Sequence, residues 1–239
     1  MEIDPGTVSI IQLGWSRLLK LDDTAFADAA GERLHRRDDD AEVLTFVRLF
    51  GQEALVGPGW AIDAATGFDG EVLARHSTLL RLTRDHGGRG LGEANLFFCD
   101  SLPTLEHRDD GAVSDEPAFA LELERLCPPD DTAEVGLSSL EHQSILVDDS
   151  NTPPLPFAGA GYDIWGGILA HLGVLTAPDR RGQGHATFIA KVAVEDAMAA
   201  GLIPQWRART DNTASIRTAL RAGFIGCGSQ TSVLLPGRG

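Results

Sequence analysis

The sequence predicts an α/β protein whose central unit is a strand, a glycine-rich turn and a long helix. Residues 172–176 form a run rich in Leu and Val that ends before Pro178, as is typical of a strand buried in a sheet. Residues 181–186 begin with an arginine and contain two glycines. From residue 187 the apolar residues recur with helical spacing, and Gly201 stands where a helix is expected to end.

This strand, turn and helix have the chemistry of an anion site. The first N–H groups of a helix have no partner within the helix, and the helix dipole places partial positive charge there. Gly182 and Gly184 lack the Cβ atoms that keep a phosphate away from the backbone, and Arg181 adds a fork-shaped cation suited to phosphate oxygens. We call residues 181–186 and the start of the following helix the cradle. The alternative is a tight turn in which the glycines serve backbone geometry alone.

The spacing R-x-x-G-x-A after a strand that ends in Pro resembles the acyl-CoA loop of the GNAT acetyltransferase superfamily. Further along, N-x-x-S followed by a helix that ends in A-G-F is similar to a second motif of that family. The residues are Arg181, Gly184 and Ala186 in the first motif, and Asn212, Ser215, Ala222, Gly223 and Phe224 in the second. Two motifs in this order are more specific than either alone. A Rossmann site fits less well, because the third glycine and the later acidic residue are missing.

The resemblance implies a GNAT-type mixed central sheet flanked by helices over residues 93–239. Its predicted strands are 94–99, 142–147, 157–165, 168–176, 202–210 and 226–235, and its predicted helices are 116–126, 132–141, 187–200 and 214–222. In the strand 202–210, Trp206 and Ala208 alternate with two arginines, as expected of a strand with two different faces.

Residues 1–92 form an additional N-terminal α+β segment whose role is open between a lid, a wall of the substrate site and a dimer surface. Residues 7–20 fit either a strand or a short helix. Helices are predicted from the caps at 22–24 to residue 34 and at 69–75, and strands at 42–50, 51–60 and 78–83. The acidic run 38–40 predicts a solvated loop, because three adjacent carboxylates cannot converge on one ion.

A second copy of the cradle spacing occurs at residues 89–94, where Arg89, Gly90, Gly92 and Ala94 match the first copy position by position. A tandem GNAT protein would carry two such loops. The second copy precedes a short apolar run that ends in Pro103, whereas an anion site needs the N-terminus of a helix. We therefore predict a hairpin turn here.

Composition narrows the class of protein. The chain of 239 residues suits either one domain with a sizeable extension or two small domains, and no apolar run approaches the length of a membrane span. The first residues lack the basic and apolar regions of a signal peptide, and the three cysteines are scattered. We therefore expect a cytoplasmic protein with reduced thiols, without a metal site and without a membrane partner. The net charge of −15 disfavours nucleic acid; it fits a cationic acceptor or serves solubility.

The resemblance implies an acetyl-CoA-dependent N-acetyltransferase that acts on a primary amine of a small molecule or peptide by direct attack on the thioester. The implied cofactor-binding residues are Val174, Leu175, Thr176, Arg181, Gly182, Gln183, Gly184, His185, Ala186, Asn212 and Ser215. Backbone N–H groups near Val174 and Thr176 are expected to polarise the thioester carbonyl. Two alternatives are a catalytically degenerate CoA-binding module with a regulatory or assembly role, and an enzyme that transfers another acyl group such as succinyl.

The acid and base of the reaction are less clear from the motifs. Many family members carry a Tyr four residues before the Gly of the G-F pair, and here that position is Ala219. One possibility is that the thiolate leaves without this acid. Another is that Tyr162, the only tyrosine of the sequence, replaces it; the alternative role for Tyr162 is packing in the sheet. For the base we consider His171, Asp163 and Glu141. His171 lies where the family often places a carboxylate, and the ordinary pKa of histidine suits the task.

Overall fold

The computed structural model describes residues 2–106, 111–150 and 152–236. The chain divides into two compact units. The first unit contains Glu2–Phe97, Arg207–Thr213 and the C-terminal residues from Gly226 onward; the second contains Phe98–Trp206 and Ala214–Ile225. The domain boundary predicted between residues 92 and 93 stays a prediction.

Helices and strands occur in short runs up to residue 176 and alternate one by one after it. In order, they are α1 (Pro5–Leu18), α2 (Ala25–Asp28), β1 (Leu34–Arg37), β2 (Val43–Leu49), β3 (Gln52–Gly57), α3 (Gly59–Ala64), α4 (Gly70–Leu73), α5 (His76–Thr83), β4 (Arg89–Phe98), β5 (Ala112–Ser114), α6 (Pro117–Leu126), α7 (Pro129–Val135), β6 (His142–Asp148), β7 (Leu155–Trp165), β8 (Leu169–Thr176), α8 (His185–Ala199), β9 (Ile203–Arg209), α9 (Thr213–Arg221) and β10 (Ile225–Leu234). Short 3-10 turns lie at Arg84–His86, Leu137–Ser139 and Pro178–Arg180. This is the mixed α/β architecture that the sequence predicts.

The strands of the first unit lie in the order β1-β3-β2-β10-β4. Strand β1 pairs with β3 in parallel, whereas β2 is antiparallel to both β3 and β10. Helices α3 to α5 cover this sheet with apolar side chains. The buried core includes Leu44, Phe46, Leu55, Leu73, Leu79 and Val233.

The strands of the second unit lie in the order β9-β8-β7-β6-β5. Antiparallel ladders join β5 to β6, β6 to β7 and β7 to β8, and a short parallel ladder joins β8 to β9. Helix α6 packs on one side through a core that includes Ala120, Leu123, Leu137, Ile145 and Leu175. This sheet positions the candidate site.

Two predictions about the segment before residue 98 are wrong. Residues 78–83, predicted as a strand, belong to helix α5, where Thr83 Oγ1 donates to the carbonyl of Leu79 at 2.8 Å. Residues 89–94, predicted as a hairpin turn, form the first part of strand β4. The glycines there serve close packing, since a Cβ on Gly90 would lie 2.4 Å from the imidazole of His76. The repeated Arg-Gly spacing therefore has no helix N-terminus behind it.

Other differences concern where elements begin and end. The helix predicted from residues 22–24 to residue 34 is limited to α2, because Ala30 and Gly31 have positive φ angles of 47° and 84° and Leu34 already pairs in β1. The strand predicted over 51–60 ends at Gly57, and helix α3 follows. The helix predicted over 132–141 lies earlier, as α7, and ends at Gly136, whose φ of 58° favours glycine.

Residues 7–20, for which strand and helix were both open, form most of helix α1. Asp4 caps the helix by accepting hydrogen bonds from the N–H groups of Gly6 and Thr7, and Pro5 occupies the first helical position. No helix in the described part of the chain is long and apolar enough to span a membrane.

Candidate functional site

Strand β8 is the centre of the candidate site because it is paired along one edge and largely open along the other. Its ladder with β7 runs from Leu169 to Thr176. Its parallel ladder with β9 covers three pairs and ends where His171 meets Gln205. Among the described residues, positions 172–176 have no ladder partner on the β9 side. The backbone there is available to a bound molecule.

The turn after β8 leads directly into the N-terminus of α8. Gly182 and Gly184 have φ angles of 75° and 85°, in the left-handed region that favours glycine. Gly184 is the N-cap of α8 and provides no side-chain cap, and its carbonyl accepts the N–H of Phe188 at 3.1 Å. A Cβ on Gly182 would meet nothing within 4 Å. The first N–H groups of this 15-residue helix therefore face an open turn.

The guanidinium of Arg181 connects the turn to two other elements. Its Nη2 donates to Asp131 Oδ2 on helix α7 at 2.7 Å, and its Nε donates to the carbonyl of Thr176 at 3.1 Å. Both charged side chains are roughly half exposed, so water screens the pair. The neighbouring Arg180 is paired with Asp148 at 3.3 Å. Each arginine of the turn therefore already has an anionic partner that a phosphate would have to replace.

The last residues of β8 contribute backbone and one buried hydroxyl. The side chain of Leu175 belongs to the apolar core, so only its backbone can reach a ligand. The hydroxyl oxygen of Thr176 is buried and has no hydrogen-bond partner among the described residues. A buried polar atom without a partner is costly, which indicates a position where a ligand or water completes the structure.

The side chains of Gln183 and His185 turn away from the cradle. Gln183 Nε2 donates to the carbonyl of Asp179 at 3.3 Å, and Gln183 Oε1 lies 3.3 Å from His185 Nε2. The imidazole of His185 is 2% exposed and meets the ring of Phe157 edge-on at 4.8 Å. The imidazole of His185 is therefore part of the packing of this turn, and the cofactor-binding roles of Gln183, His185 and Ala186 stay predictions.

The second motif has a structural role, and its predicted part in cofactor binding stays a prediction. The Ser215 hydroxyl accepts a hydrogen bond from Trp206 Nε1 at 2.9 Å, and this buried indole packs edge-on against Phe224 at 5.6 Å. Asn212 lies in the turn after β9, where its N–H donates to the carbonyl of Arg209 at 3.0 Å. Ser215 thus fixes Trp206 at the base of helix α9.

Three of the four candidate catalytic residues lie in one row across the sheet. Asp163 on β7 and His171 on β8 are directly paired in the antiparallel ladder, so their side chains leave the same face. The N–H of Glu141, just before β6, donates to Asp163 Oδ1 at 3.2 Å. One carboxylate and one imidazole thereby share a face of the sheet, and Glu141 joins them through its backbone N–H.

The ring of His171 is held on two sides. Gln205 Nε2 lies 3.1 Å from His171 Nδ1, and the Gln205 side chain is fully buried. The indole of Trp165 stacks on the imidazole with the ring centroids 3.8 Å apart and the planes at 20°. The amide and the indole together restrict the rotation of the imidazole.

Tyr162 lies on the opposite face of the sheet from this row, since successive strand residues alternate. Its hydroxyl donates to Asp196 Oδ2 on helix α8 at 2.7 Å, and its ring stacks on His142 at 4.4 Å. Burial, together with the neighbouring Asp196 carboxylate, raises the pKa of Tyr162 well above its usual range. The phenol is 1% exposed and therefore fills the packing role.

The raised pKa predicts that Tyr162 affects stability only at high pH. The folded state holds the phenolic proton more tightly than the unfolded chain, whose tyrosine has a pKa of about 10. This contribution is complete below pH 10 and is lost as the pH rises through the folded-state pKa. Urea unfolding at pH 8 and pH 11 should show that the stability advantage of the parent over Tyr162→Phe decreases at the higher pH. An advantage that is the same at both values would contradict the assignment.

Ala219 occupies the position where many related proteins carry a tyrosine acid. The side chain of Ala219 is fully buried, and its carbonyl accepts the N–H of Phe224 at 3.0 Å. The residue serves helix packing. A proton donor for a leaving thiolate therefore has to come from elsewhere, or the thiolate leaves unprotonated.

Three residues of this site escaped the sequence analysis. The ion pair of Asp131 with Arg181 was not predictable, because Asp131 lies on a different helix at no fixed spacing from Arg181. The contacts of Trp165 and Gln205 with His171 were not predictable, because they depend on the pairing of three strands. Gln205 left one signal, a lone amide in the otherwise apolar start of the strand Ile203–Arg209.

The residues of the cradle fit the diphosphate and pantetheine parts of coenzyme A. The open space at Gly182, the uncapped N-terminus of α8 and the guanidinium of Arg181 suit an anionic group. The edge of β8 beyond its ladder with β9 suits an extended chain with amide groups, and so does the Thr176 hydroxyl, which has no partner among the described residues. These groups fit the diphosphate and the carrier chain, so they do not select the acyl group that the thiol carries.

Comparisons with known proteins show which family and which solved structures part of this chain resembles. Residues 121–224 match the model of the acetyltransferase (GNAT) family. A search of curated proteins found no match. Among solved structures, the chain is similar to a GNAT-family putative acetyltransferase from Novosphingobium aromaticivorans, with 17% identity, a TM-score of 0.48 and coverage of 63% of this chain and 68% of that one. The chain is also similar to a GCN5-related N-acetyltransferase from Kribbella flavida, with 15% identity and a TM-score of 0.48. This match covers 67% of this chain and 64% of that one.

A Drosophila protein from a structural genomics programme has 12% identity, a TM-score of 0.53 and coverage of 77% of this chain and 61% of that one. At this identity the likeness concerns the fold alone. The matched part of the chain spans between 61% and 68% of the three solved structures. The family match coincides with the elements that build the site, from α6 to the end of α9. Residues 121–224 therefore belong to the GNAT family of acetyltransferases, whose members are acyltransferases that use acetyl-CoA.

Proposed function

We propose that the protein transfers an acetyl group from acetyl-CoA to a primary amine of a small molecule or peptide. The observation that supports this most strongly is the geometry at the end of β8. An open strand edge leads into a turn with two left-handed glycines and then into an uncapped helix N-terminus. Such a site holds a phosphate-bearing carrier while its acyl end lies along the strand.

The residues of the chain have separable tasks in this proposal. Arg181, Gly182, Gly184 and the first N–H groups of α8 hold the diphosphate. Backbone N–H groups near Val174 and Thr176 hold the carrier and withdraw charge from the carbonyl under attack. Asn212 and Ser215 help to hold the carrier arm. When bound, acetyl-CoA supplies the activated thioester.

The row of polar residues on the face of His171 handles the acceptor. An amine is protonated at neutral pH and must lose a proton before it can attack. The carboxylates of Asp163 and Glu141 attract an ammonium group, and the acidic chain as a whole favours a cation. His171 pairs directly with Asp163 in the β7–β8 ladder, and an imidazole is a side chain that can take up that proton. Direct attack then requires no covalent enzyme intermediate and no metal ion.

The test is an acceptor panel in which two products are measured together. Acetyl-CoA is incubated with the protein and with polyamines, amino sugars, amino acids or short peptides. Free thiol and acetylated amine should appear in equal amounts with at least one acceptor class. Thiol without acetylated amine would show hydrolysis only. Tight binding of acetyl-CoA without turnover across the panel would favour the non-catalytic CoA-binding module, and succinyl-CoA is included to test for another acyl group.

Asp131 competes with phosphate for Arg181, which gives a prediction for cofactor affinity. In Asp131→Asn the guanidinium loses its anionic partner, so its full charge becomes available to the diphosphate. Exposed ion pairs are worth up to about 1 kcal/mol, so the affinity for acetyl-CoA should rise by no more than about fivefold. Calorimetric titration measures the change, and the preceding residue gives the control Asp130→Asn. Equal affinities in the two variants would show that the pair does not limit binding.

A further inference from the structure

The face of the sheet that carries Asp163 and His171 also carries two glycines, and the side chains packed on those glycines are apolar. We propose that these two side chains, Val135 and Leu140, determine acceptor specificity and select primary amines on aliphatic chains over amino sugars and α-amino acids. The inference rests on the proposed acetyl transfer and deepens it, because it names the class of amine that the site accepts.

The two glycines lie next to the row of Asp163 and His171. Gly161 and Gly173 are paired with each other in the ladder between β7 and β8. Gly161 is two residues from Asp163 and Gly173 is two residues from His171, so the glycine pair and the polar pair belong to the same face of the sheet. Along a strand, neighbouring positions on one face are about 7 Å apart. Whatever covers the glycines therefore borders the polar pair.

Two apolar side chains cover the glycines. A Cβ on Gly173 would lie 2.9 Å from Val135 Cγ1 and 3.4 Å from Leu140 Cδ1, and a Cβ on Gly161 would lie 3.0 Å from the same atom of Leu140. The absence of a side chain on either strand lets Val135 and Leu140 approach the backbone closely. We call Val135 and Leu140 the apolar wall.

The wall stands at the boundary of the apolar core under α6 and α7. Leu140 is 9% exposed, and Val135, at the end of α7, is half-buried and packs against the core. Leu123 and Leu137 of the same core are fully buried. The two wall residues therefore keep part of their apolar surface outside the core, where a bound chain can cover it.

The wall also borders the place where amine and thioester meet in the proposed reaction. Gly173 lies between His171, the proposed acceptor of the proton, and Val174, near which a backbone N–H is proposed to hold the carrier. It lies past the last pair that the structure describes between β8 and β9. Carbon atoms attached to the reacting amine therefore contact the wall.

This arrangement favours one kind of group next to the amine. A methylene against the wall leaves water and gains affinity. A hydroxyl of an amino sugar in the same position loses its water without gaining a hydrogen bond from Val135 or Leu140. The carboxylate of an α-amino acid is repelled by the carboxylate of Asp163. The three effects together select an aliphatic amine, of which a polyamine end or a lysine side chain is an example.

Kinetics with matched acceptors test the proposal on the parent protein. From ethylamine to butylamine, kcat/KM should rise by about fourfold for each methylene that contacts the wall, the effect of burying one CH2 group. Butylamine should exceed norvaline, which adds only the carboxylate, and cyclohexylamine should exceed glucosamine, each by about tenfold or more. A series without dependence on chain length, or either pair in the opposite order, would overturn the proposal.

A variant of the wall and a matched control locate the effect. Leu140→Ala should weaken the dependence on chain length. The control is Leu137→Ala, because Leu137 packs in the same way on the next glycine of β7, where a Cβ on Gly159 would lie 2.7 Å from Leu137 Cδ2, further from the row. Both variants should lose stability, and only the first should change the series. Equal changes in both would refute the role of the wall, and Val135→Ala repeats the test if Leu140→Ala does not fold.

Methyl NMR separates failure of this inference from failure of the proposed acetyl transfer. Butylamine is titrated into protein with labelled leucine and valine methyl groups, in the presence of CoA, so no turnover is needed. The methyl signals of Val135 and Leu140 should shift, and those of Leu137 should not. An inactive protein with these shifts would refute acetyl transfer and leave the selectivity of the site intact. Unchanged signals at Val135 and Leu140 in an active protein would refute the wall alone.

Discussion

Replacing Gly182 by leucine should lower the affinity for acetyl-CoA by about a hundredfold or more, which corresponds to about 2.8 kcal/mol. The leucine side chain would project into the open space over the turn, where a Cβ now meets nothing within 4 Å. A phosphate held by the α8 N–H groups needs that space, and a side chain there keeps it from the backbone. Calorimetric titration of acetyl-CoA into the parent and the variant measures the effect.

Strain alone could also weaken binding, and the chain provides a matched control. Gly201, just after the end of α8, has a φ of 76° and nothing within 4 Å of a built Cβ, almost identical to the 75° and open space at Gly182. Leucine in the left-handed region costs about 1–2 kcal/mol at either site. Gly201→Leu should therefore lose as much thermal stability as Gly182→Leu while it retains full affinity. Similar losses of affinity in both variants would mean that the cradle is not the binding site.

Replacing His171 by alanine should lower kcat/KM by about a hundredfold or more, within the range of general acid–base catalysis. The affinity for acetyl-CoA should change little, because His171 lies in the row of polar residues beside Asp163 and not in the cradle. Steady-state kinetics with the best amine from the panel, combined with the titration above, separates the two effects.

The control for His171 is His142, which also stacks on an aromatic ring but lies on the other face of the sheet. Each imidazole stacks on an aromatic ring of β7, Trp165 at 3.8 Å for His171 and Tyr162 at 4.4 Å for His142. The stack of His142 lies on the other face of the sheet, beside Asp196. His142→Ala should therefore leave kcat/KM within about twofold of the parent. A twofold change corresponds to about 0.4 kcal/mol, since a tenfold change corresponds to about 1.4 kcal/mol. Equal losses in both variants would indicate that disruption of the sheet explains the effect.

The sequence predicted the parts of this protein that follow from local pattern. Strand β8, the turn and helix α8 were predictable because apolar period, glycine position and cap all lie within thirty residues of one another. Helix α5 was mistaken for a strand because its apolar residues are clustered and its turn is short. The repeat at residues 89–94 looked like a turn because glycine has two uses, and here it allows His76 to pack against a strand.

The site was only half predictable, for a physical reason. The cradle is continuous in sequence, so its residues could be named in advance. The row of Asp163, His171 and Gln205 depends on the registers of three strands, and no local pattern specifies a register. The same holds for Tyr162, whose face is clear only once its strand is paired and Asp196 is found beside it. Long-range pairing, more than residue type, separated the candidates.

The central claim is that the turn after β8 and the start of α8 hold acetyl-CoA. Hydrogen exchange measured by mass spectrometry, with and without acetyl-CoA, tests it without assuming any acceptor. We expect slower exchange in peptides that cover residues 172–188, because the backbone N–H groups of the turn and the helix N-terminus would bind the ligand. Residues 89–94, which repeat the spacing without a helix, should be unaffected. Protection of that repeat in place of the cradle, or no protection anywhere, would contradict the account.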